Sequence, residues 1–323
     1  MNNTNVKVSV IIPAFNAGKY IEEALNSVFS QTYTQFEIIV VDDCSTDNTK
    51  EILEKYKSKI HLITLQTNQG EAHARNIAIN EAQGEYISFL DADDMWRPTK
   101  LERQVSYLDA HPEIGFLYSN ATCFKVVNNE KQIIREFHLA FTGDVFKELF
   151  WSNFVPGHTP MVRADILKTV GLFDENVRLK KAAADYDLWL RISRVTNFGH
   201  LSEVLADYRI HDTNMLGLSY ENVLLPYEYI YEKFYTNYLD TGQRIDLSKN
   251  ACIGDLYLRH AFMDFISKNQ KSAITKAKNA IKYIPFKGFA SLMIIILGIK
   301  SPQLWKHLLG RFDIIYSKFV KTH

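Results

Sequence analysis

Three of the four residues from 91 to 94 are carboxylates: Asp91, Asp93 and Asp94. They directly follow an apolar run over residues 86–90, which is typical of a short buried strand. Because side chains alternate in an extended segment, we expect Asp91 and Asp93 on one side and Asp94 on the other. Two carboxylates that project together suit a hard divalent cation, Mg2+ or Mn2+, with open positions for phosphate oxygens. The alternative is an acidic turn ahead of a helix that begins at Pro98.

The acidic residues must be positioned by the elements around them, and strands alternate with helices up to residue 110. Apolar runs predict strands over residues 6–12, 36–41, 60–65 and 86–90. Helices are predicted after Asn16, which we expect to cap the first of them, then up to Tyr56, over 70–82 and over 98–110. This alternation predicts an α/β fold with a mostly parallel sheet flanked by helices, which binds ligands at the carboxyl ends of its strands. Those ends carry Asp42, Asp43, Asp91 and Asp93.

The pattern changes from Gly115 onward. One or two strands are predicted over residues 116–127, and helices over 144–151, 164–170 and 184–195. After about residue 218 the chain is helical and rich in tyrosine, with a helical hairpin formed by 256–265 and 273–284. We therefore expect a catalytic domain over residues 1–217 and a C-terminal α-helical domain over residues 218–323.

Composition excludes several classes of protein. Lysine plus arginine and aspartate plus glutamate each number 37 in the 323 residues, so no net charge directs the chain to nucleic acid. The three widely spaced cysteines, Cys44, Cys123 and Cys252, are typical of a reducing compartment. The N-terminus lacks the basic region and apolar core of a signal peptide, so we expect a cytoplasmic protein. Neither glycine-rich nucleotide signature, G-x-G-x-x-G or G-x-x-x-x-G-K-[ST], is present.

An uncharged stretch lies near the C-terminus, from Gly288 to Ile299. Twelve helical residues span about 18 Å, which is too short for a bilayer core of about 30 Å. Lysines flank this stretch at 282, 287, 300 and 306, and the apolar residues include Phe286, Phe289 and Trp305. A mixture of basic and apolar residues predicts peripheral membrane contact at the inner face of the cell membrane. The alternative is a buried hairpin that closes the helical domain.

Six short motifs stand in order along the chain. They are IIPAFN at 11–16, VDDCSTD at 41–47, ARN at 74–76, FLDADD at 89–94, GLFDE at 171–175 and DYDLWLR at 185–191. Together they resemble the inverting glycosyltransferases of family 2, which have the nucleotide-diphospho-sugar transferase fold (GT-A). The resemblance covers roughly residues 6–215. It implies a sheet whose first half binds the nucleotide and whose second half shapes the acceptor site.

The resemblance implies roles for residues at the end of the first two strands. Asp43 would bind the uracil, and Pro13 and Phe15 would line the base pocket. Asp42 either joins them or caps the turn after its strand. Cys44 stands where the family usually has glycine, which implies a different turn or a strained backbone.

Further roles follow for the diphosphate and the metal. Arg75 would lie near the diphosphate, although it could instead pair with Glu71 on its own helix. Asp91 would lie near the ribose or donor sugar, and Asp93 would bind the metal. His211, in the segment Tyr208-Arg209-Ile210-His211, would contact the phosphate or the metal, the alternative being a structural histidine.

Inversion by a single displacement requires a base on the acceptor side, and the segment at 185–191 offers Asp185 and Asp187. Asp187 has Arg191 four residues on, whereas Asp185 has Trp189, so we expect Asp187 to be structural and Asp185 to be the catalytic base. Asp185 lies in the first helical turn, where the helix dipole should keep it ionised and make it a weak base. Ala184 stands where the family usually has glutamate, so an acceptor-side contact differs.

The expected function is therefore a metal-dependent inverting glycosyltransferase that uses Mn2+ or Mg2+. It would move a sugar from a nucleotide-diphosphate donor, a UDP-sugar, to a hydroxyl of a glycan or lipid-linked glycan in bacterial-type surface polysaccharide synthesis. A catalytically inactive subunit that only binds sugar nucleotides is the alternative. A sugar-nucleotide pyrophosphorylase would need a glycine-rich basic loop after the first strand, which the chain lacks.

Overall fold

The computed structural model describes residues 6–128, 130–138, 140–179, 183–211, 220–238, 249–266 and 268–296. The chain divides into two compact units, Met1–Leu218 and Ser219–His323. We call them the first and the second unit. The first unit has nine described strands, which we number β1 to β9 in chain order. They form one sheet in the order β3-β2-β1-β4-β8-β6-β9-β5, with β7 paired to β6.

The first half of this sheet is parallel and confirms the predicted α/β fold. Its strands are β1 (Val8–Ala14), β2 (Phe36–Asp42), β3 (His61–Thr64) and β4 (Tyr86–Phe89). The helices between and after them are α1 (Ile21–Phe29), α2 (Thr49–Lys55), α3 (Glu71–Glu81) and α4 (Lys100–Ala110). All seven residues of β1 are buried, as expected of a strand covered on both faces. The pairing of Ala14 with Asp42 and of Asp42 with Thr64 aligns the carboxyl ends of three strands.

The second half of the sheet is mixed. Its strands are β5 (Met95–Trp96), β6 (Ile114–Val127), β7 (Glu130–Phe137), β8 (Met161–Arg163) and β9 (Asn197–Arg209). Here β8 runs antiparallel to β4 and β6, β9 runs parallel to β6, and β5 pairs antiparallel with the end of β9. The accompanying helices are α5 (Phe146–Trp151), α6 (Ala164–Val170) and α7 (Ala184–Ile192). The β5–β9 pairing is what brings the C-terminal end of β9 beside residues 91–94.

Two local predictions are wrong. Asn16 does not cap α1, because its side-chain oxygen accepts a hydrogen bond from Thr46 N at 2.8 Å and the N-cap is Tyr20. The extended strand does not continue through the carboxylates either, because β4 ends at Phe89 and Asp94 N donates to Asp91 O at 3.1 Å. Residues 91–94 therefore form a turn, which we call the acidic turn.

The second unit is helical over its described residues. Its helices are α8 (Tyr220–Tyr238), α9 (Lys249–Ile266), α10 (Gln270–Tyr283) and α11 (Pro285–Ile296). The predicted hairpin is present, since α9 packs on α10, and α11 packs on α10 as well. None of the helices within the described ranges is both long enough and apolar enough to cross a membrane. Lys300, Trp305 and Lys306 lie outside the described residues.

Candidate active site

Arg75 on α3 contacts two carboxylates, the expected site residue Asp91 and its alternative helical partner Glu71. Its guanidinium lies 2.6 Å from Asp91 Oδ1 and 2.5 Å from Glu71 Oε1, so it makes both the helical pair and the contact with the acidic turn. The side chain is almost fully buried, and its Nε makes no hydrogen bond with the described residues. A buried arginine with one free donor, next to the acidic turn, is suited to bind a further anionic group.

Asp93 and His211 converge from different elements. His211 Nε2 lies 2.9 Å from Asp93 Oδ2, and the imidazole stacks on Tyr20 with ring centroids 4.8 Å apart. Arg209 Nε donates to Asp93 O at 3.0 Å, which ties the acidic turn to the end of β9 a second time. Burial and the neighbouring Asp91 raise the pKa of Asp93, and the hydrogen bond from His211 opposes that shift.

The side chains of Asp93 and His211 fit a divalent cation that takes most of its ligands from a bound substrate and from water. A carboxylate and an imidazole suit Mn2+, and Mg2+ is commonly held by one or two carboxylates plus substrate phosphates and water. No group of three or more His, Cys, Asp or Glu side chains within the described ranges could hold a metal by itself. Asp93 and His211 would therefore hold a cation together with phosphate oxygens of a bound nucleotide.

Asp43 directly follows β2, and each of its two carboxylate oxygens accepts one backbone hydrogen bond. The carboxylate is buried and accepts hydrogen bonds from Gln69 N at 2.8 Å and Gly70 N at 2.7 Å, just before α3. An ionised carboxylate has about four acceptor positions, so Asp43 retains the capacity to accept an imide N–H. Asp42 accepts from Ser45 N at 3.1 Å and caps the turn, which is the structural alternative considered for it.

The residues expected around the base differ in exposure. Pro13 is buried within β1, whereas Phe15 immediately beyond the strand is 49% exposed and offers a ring face to solvent. Cys44 has a φ of 63°, in the left-handed region that favours glycine. The strained backbone inferred from the departure at this position is therefore confirmed.

Asp185 lies in the first turn of α7 and faces a loop between α5 and β8, residues 152–160. Its Oδ1 accepts from Tyr186 N at 2.7 Å, and its Oδ2 lies 3.5 Å from Asn153 Nδ2. The backbone of Gly157 approaches so closely that an added Cβ would lie 3.3 Å from Asp185 Oδ2. Burial raises the pKa of Asp185, Asp91 adds to the increase, and Arg75 opposes it. The sequence suggested that the helix dipole keeps Asp185 ionised at neutral pH, and burial acts against that effect.

Asp187 has the structural role predicted for it. The side chain is fully buried, and Arg191 Nε donates to Asp187 Oδ2 at 2.9 Å. The same guanidinium donates to Val170 O and Leu172 O, each at 2.7 Å. The Asp187–Arg191 pair thus holds the end of α6 and the following loop against α7.

The carboxylates around Arg75 influence one another. Burial raises the pKa of Glu71 to about 7, with Asp91, Asp185 and Asp93 adding to the increase and Arg75 opposing it. Three carboxylates, Glu71, Asp91 and Asp185, therefore share one arginine. A nucleotide diphosphate would add negative charge to this cluster, so its binding calls for a cation near Asp91 and Asp93.

Sequence reasoning missed the residues that hold the site together. Tyr20 stacks on His211, and Arg209 contacts Asp93 through its side chain. Asn76 donates to Phe173 O and accepts from Phe173 N, both at 2.9 Å, which docks the ARN motif onto the GLFDE motif. The motif positions could have indicated Asn76, but nothing in the spacing indicates the partner of a residue 97 positions away.

Comparisons with known proteins show related sequences and a shared fold. The model of the family described as "Glycosyl transferase family 2" matches residues 9–171. TuaG of Bacillus subtilis (strain 168), named for teichuronic acid biosynthesis, is 34% identical over 215 residues, which are 65% of this chain and 81% of TuaG. The Escherichia coli enzyme WfgD, named as a UDP-Glc:alpha-D-GlcNAc-diphosphoundecaprenol beta-1,3-glucosyltransferase, is 42% identical over 123 residues, 38% of this chain and 47% of WfgD. The crystal structure of S. aureus TarS 1-349 in complex with UDP-GlcNAc has a TM-score of 0.62 at 23% identity, covering 97% of this chain and 92% of that chain, and shares the fold.

Proposed function

Because the chain belongs to glycosyl transferase family 2, we propose that it transfers a sugar from a UDP-sugar to a hydroxyl of a glycan, with inversion at the anomeric carbon. The observation that carries this proposal is the placement of Asp185. It lies partly buried against the 152–160 loop, with the Gly157 backbone close to its Oδ2, and Arg75 and Asp91 influence its pKa. One carboxylate is thus available for the acceptor, while Asp91 and Asp93 face the donor. We assign this activity to residues 1–217 and treat residues 218–323 as a separate helical domain.

The donor would be held by the carboxyl ends of β1, β2 and β4. Phe15 offers an exposed ring for the base beside Pro13, and Asp43 has acceptor capacity left for the uracil imide. Arg75 would lie near the diphosphate, and Asp91 would accept hydrogen bonds from hydroxyl groups of the ribose or the sugar. The names of WfgD and of the TarS complex both include a UDP-sugar, which supports UDP as the nucleotide.

Asp93 and His211 would hold Mn2+ or Mg2+ between them and the diphosphate. When bound, such a cation stabilises the negative charge that develops on the departing diphosphate. Asp185 removes the proton of the acceptor hydroxyl as that oxygen attacks the anomeric carbon and the bond to the diphosphate breaks. The raised pKa of Asp185 makes it a stronger base than an ordinary aspartate.

The acceptor would be a glycan or a lipid-linked glycan of a bacterial surface polysaccharide. TuaG is named for teichuronic acid biosynthesis, and WfgD for a diphosphoundecaprenol-linked acceptor. A lipid-linked acceptor would require the protein to work in the cytoplasm at the inner face of the membrane.

The second unit supports such peripheral contact. Side chains along one stripe of α11 are exposed, while Leu292 and Ile295 on its other face are buried, so the helix closes the hairpin and presents an apolar surface as well. The exposed stripe consists of Phe286, Phe289, Met293 and Ile296. Residues 265–312 contain lysines but no Asp or Glu, which suits an anionic lipid surface.

A panel of UDP- and GDP-sugars tests the proposal directly. We expect metal-dependent hydrolysis of at least one UDP-sugar in the absence of acceptor, and its loss in the Asp185→Asn variant. The alternative function is a subunit that binds sugar nucleotides without reacting. Binding of a UDP-sugar without hydrolysis or transfer under any metal condition would favour that alternative and overturn the enzymatic proposal.

A further inference from the structure

The third carboxylate of the acidic turn, Asp94, points away from the other two and is fully buried. Its Oδ1 accepts a hydrogen bond from Arg209 N at 2.8 Å. Its Oδ2 lies 3.2 Å from Nδ1 of His158, which is buried as well. One side chain therefore connects the acidic turn to two other segments, the end of β9 and the 152–160 loop.

The contact with Arg209 connects Asp94 to the expected metal ligands, Asp93 and His211. Arg209 stands two residues before His211, and its Nε donates back to Asp93 O at 3.0 Å. Together with the Asp94 contact, this fastens the acidic turn to the end of β9 through one backbone and one side-chain hydrogen bond. The 2.9 Å approach of Asp93 to His211 depends on that alignment, because neither ligand lies within a regular element.

The contact with His158 connects Asp94 to the loop that faces the expected base, Asp185. His158 directly follows Gly157, whose backbone lies against Asp185. The carbonyl of His158 accepts from Trp96 Nε1 at 2.8 Å, so its ring contacts the acidic turn and its backbone is bonded to the segment that follows the turn. The loop that faces Asp185 is thereby positioned from the donor side of the site.

The buried pair of Asp94 and His158 lowers the stability of the fold. Asp94 Oδ2 and His158 Nε2 are buried and make no hydrogen bond with the described residues. A buried polar atom without a partner costs about 1–3 kcal/mol, which an apolar pair at the same positions would avoid. Such exceptions call for an explanation outside stability.

We propose that Asp94 is a positioning residue that holds Asp93, His211 and the loop facing Asp185 in one arrangement, so that the donor and acceptor halves of the site are aligned together. The inference rests on the proposed function, since it assigns Asp94 to the metal and base positions named there. Asp94 itself touches neither reactant.

The two contacts predict different defects. Asp94→Ala removes both, so we expect the affinity for Mn2+ in the presence of UDP to fall by about 10- to 100-fold, as for other residues that orient a metal ligand. Asp94→Asn keeps an oxygen for Arg209 N and should restore that affinity to within about threefold. His158→Leu should leave Mn2+ affinity unchanged and lower kcat for transfer at an unchanged KM for the donor.

Mn2+ binding by titration calorimetry with UDP present, thermal unfolding and steady-state transfer measure these effects on the full chain. Asp207→Asn is the matched control, because Asp207 is a buried carboxylate on β9 whose side chain pairs with Arg97 and Lys131 and accepts a hydrogen bond from Thr122. It should leave Mn2+ affinity unchanged even if the melting temperature falls.

Wild-type Mn2+ affinity in Asp94→Ala would overturn the inference while leaving the proposed function intact. An Asp94→Asn variant as impaired in Mn2+ binding as Asp94→Ala would overturn it too, because the rescue depends on the contact with Arg209. A wild-type chain that binds no Mn2+ in the presence of UDP would instead overturn the proposed metal site, and the inference with it. If Asp94→Ala does not fold, His158→Leu decides, because a wild-type kcat in that variant would overturn the inference.

Discussion

Asp185 and Asp187 on α7 should respond differently to replacement by asparagine. Asp185→Asn should lower the transfer rate, whereas Asp187→Asn should lower the stability of the fold. Asp185→Asn keeps the shape and the acceptor for Tyr186 N, and it removes the group that we propose takes the acceptor proton. Loss of a general base lowers the rate by at least about 100-fold, which corresponds to about 2.7 kcal/mol of activation free energy. Donor affinity should remain, because Asp185 lies on the acceptor side.

The same substitution should not destabilise the fold at neutral pH. Burial raises the pKa of Asp185 in the folded chain, so its ionised form is less favourable there than in the unfolded chain at any pH above the unfolded pKa. A neutral amide removes that unfavourable contribution. We therefore expect a melting temperature equal to or above that of the wild type at pH 7.

Asp187→Asn should show the opposite profile. Asp187 is fully buried and its partner Arg191 is 16% exposed, so the exchange breaks a buried ion pair at a cost of about 3 kcal/mol, the low end of the range for such pairs. The value is at the low end because Arg191 keeps its bonds to Val170 O and Leu172 O. At roughly 2–4 °C per kcal/mol for a unit of this size, the melting temperature should fall by about 6–12 °C.

Transfer rates at saturating donor, measured below both melting temperatures, decide between the two assignments. For the wild type, kcat/KM should fall toward acid with an apparent pKa above the ordinary aspartate value, since the base must be ionised and burial raises its pKa. Normal transfer by Asp185→Asn together with an inactive but folded Asp187→Asn would refute the reasoning and exchange the two roles.

Three further outcomes are expected. Asp93→Ala should abolish the Mn2+-dependent part of UDP affinity in calorimetry with and without chelator, and an undiminished metal effect would contradict the ligand assignment. Cys44→Gly should raise the free energy of unfolding by about 1 kcal/mol, because the left-handed φ of 63° suits glycine, and a lower melting temperature would argue against strain at this turn. Phe289→Glu should abolish flotation with vesicles of anionic lipid, whereas Val177→Glu, at an exposed residue of the first unit, should not; a wild-type chain that stays unbound would rule out the membrane contact.

The parallel half of the sheet was predictable because burial on both faces leaves a continuous apolar run. β1, β2 and β4 are such runs, and the chain places aspartates directly after two of them. In the mixed half, β6 coincides with the strand predicted over residues 116–127, but the shorter strands were not predictable from the same signal. β5 has two residues, β8 has three, and β7 is largely exposed, so none presents a run long enough to recognise.

Residue types at the site were readable, but their partners were not. The segment after β9 suggested His211 only through resemblance, because the antiparallel pairing of β5 with β9 that brings it to Asp93 has no signature in the spacing. Sequence position placed Asp185 in a first helical turn and suggested a low pKa. Burial against the 152–160 loop, a tertiary effect, determines the opposite direction.

The electrostatics of the cluster link the proposed metal site to the proposed base. Glu71, Asp91 and Asp185 share Arg75, and Asp91 contributes to the raised pKa of both Glu71 and Asp185. A cation held by Asp93 and His211 would offset the charge of Asp91 and so ease the ionisation of Asp185. Donor binding with its cation would thus prepare the base on the acceptor side, and Asp185 would be best able to accept a proton when a sugar is in place to be transferred.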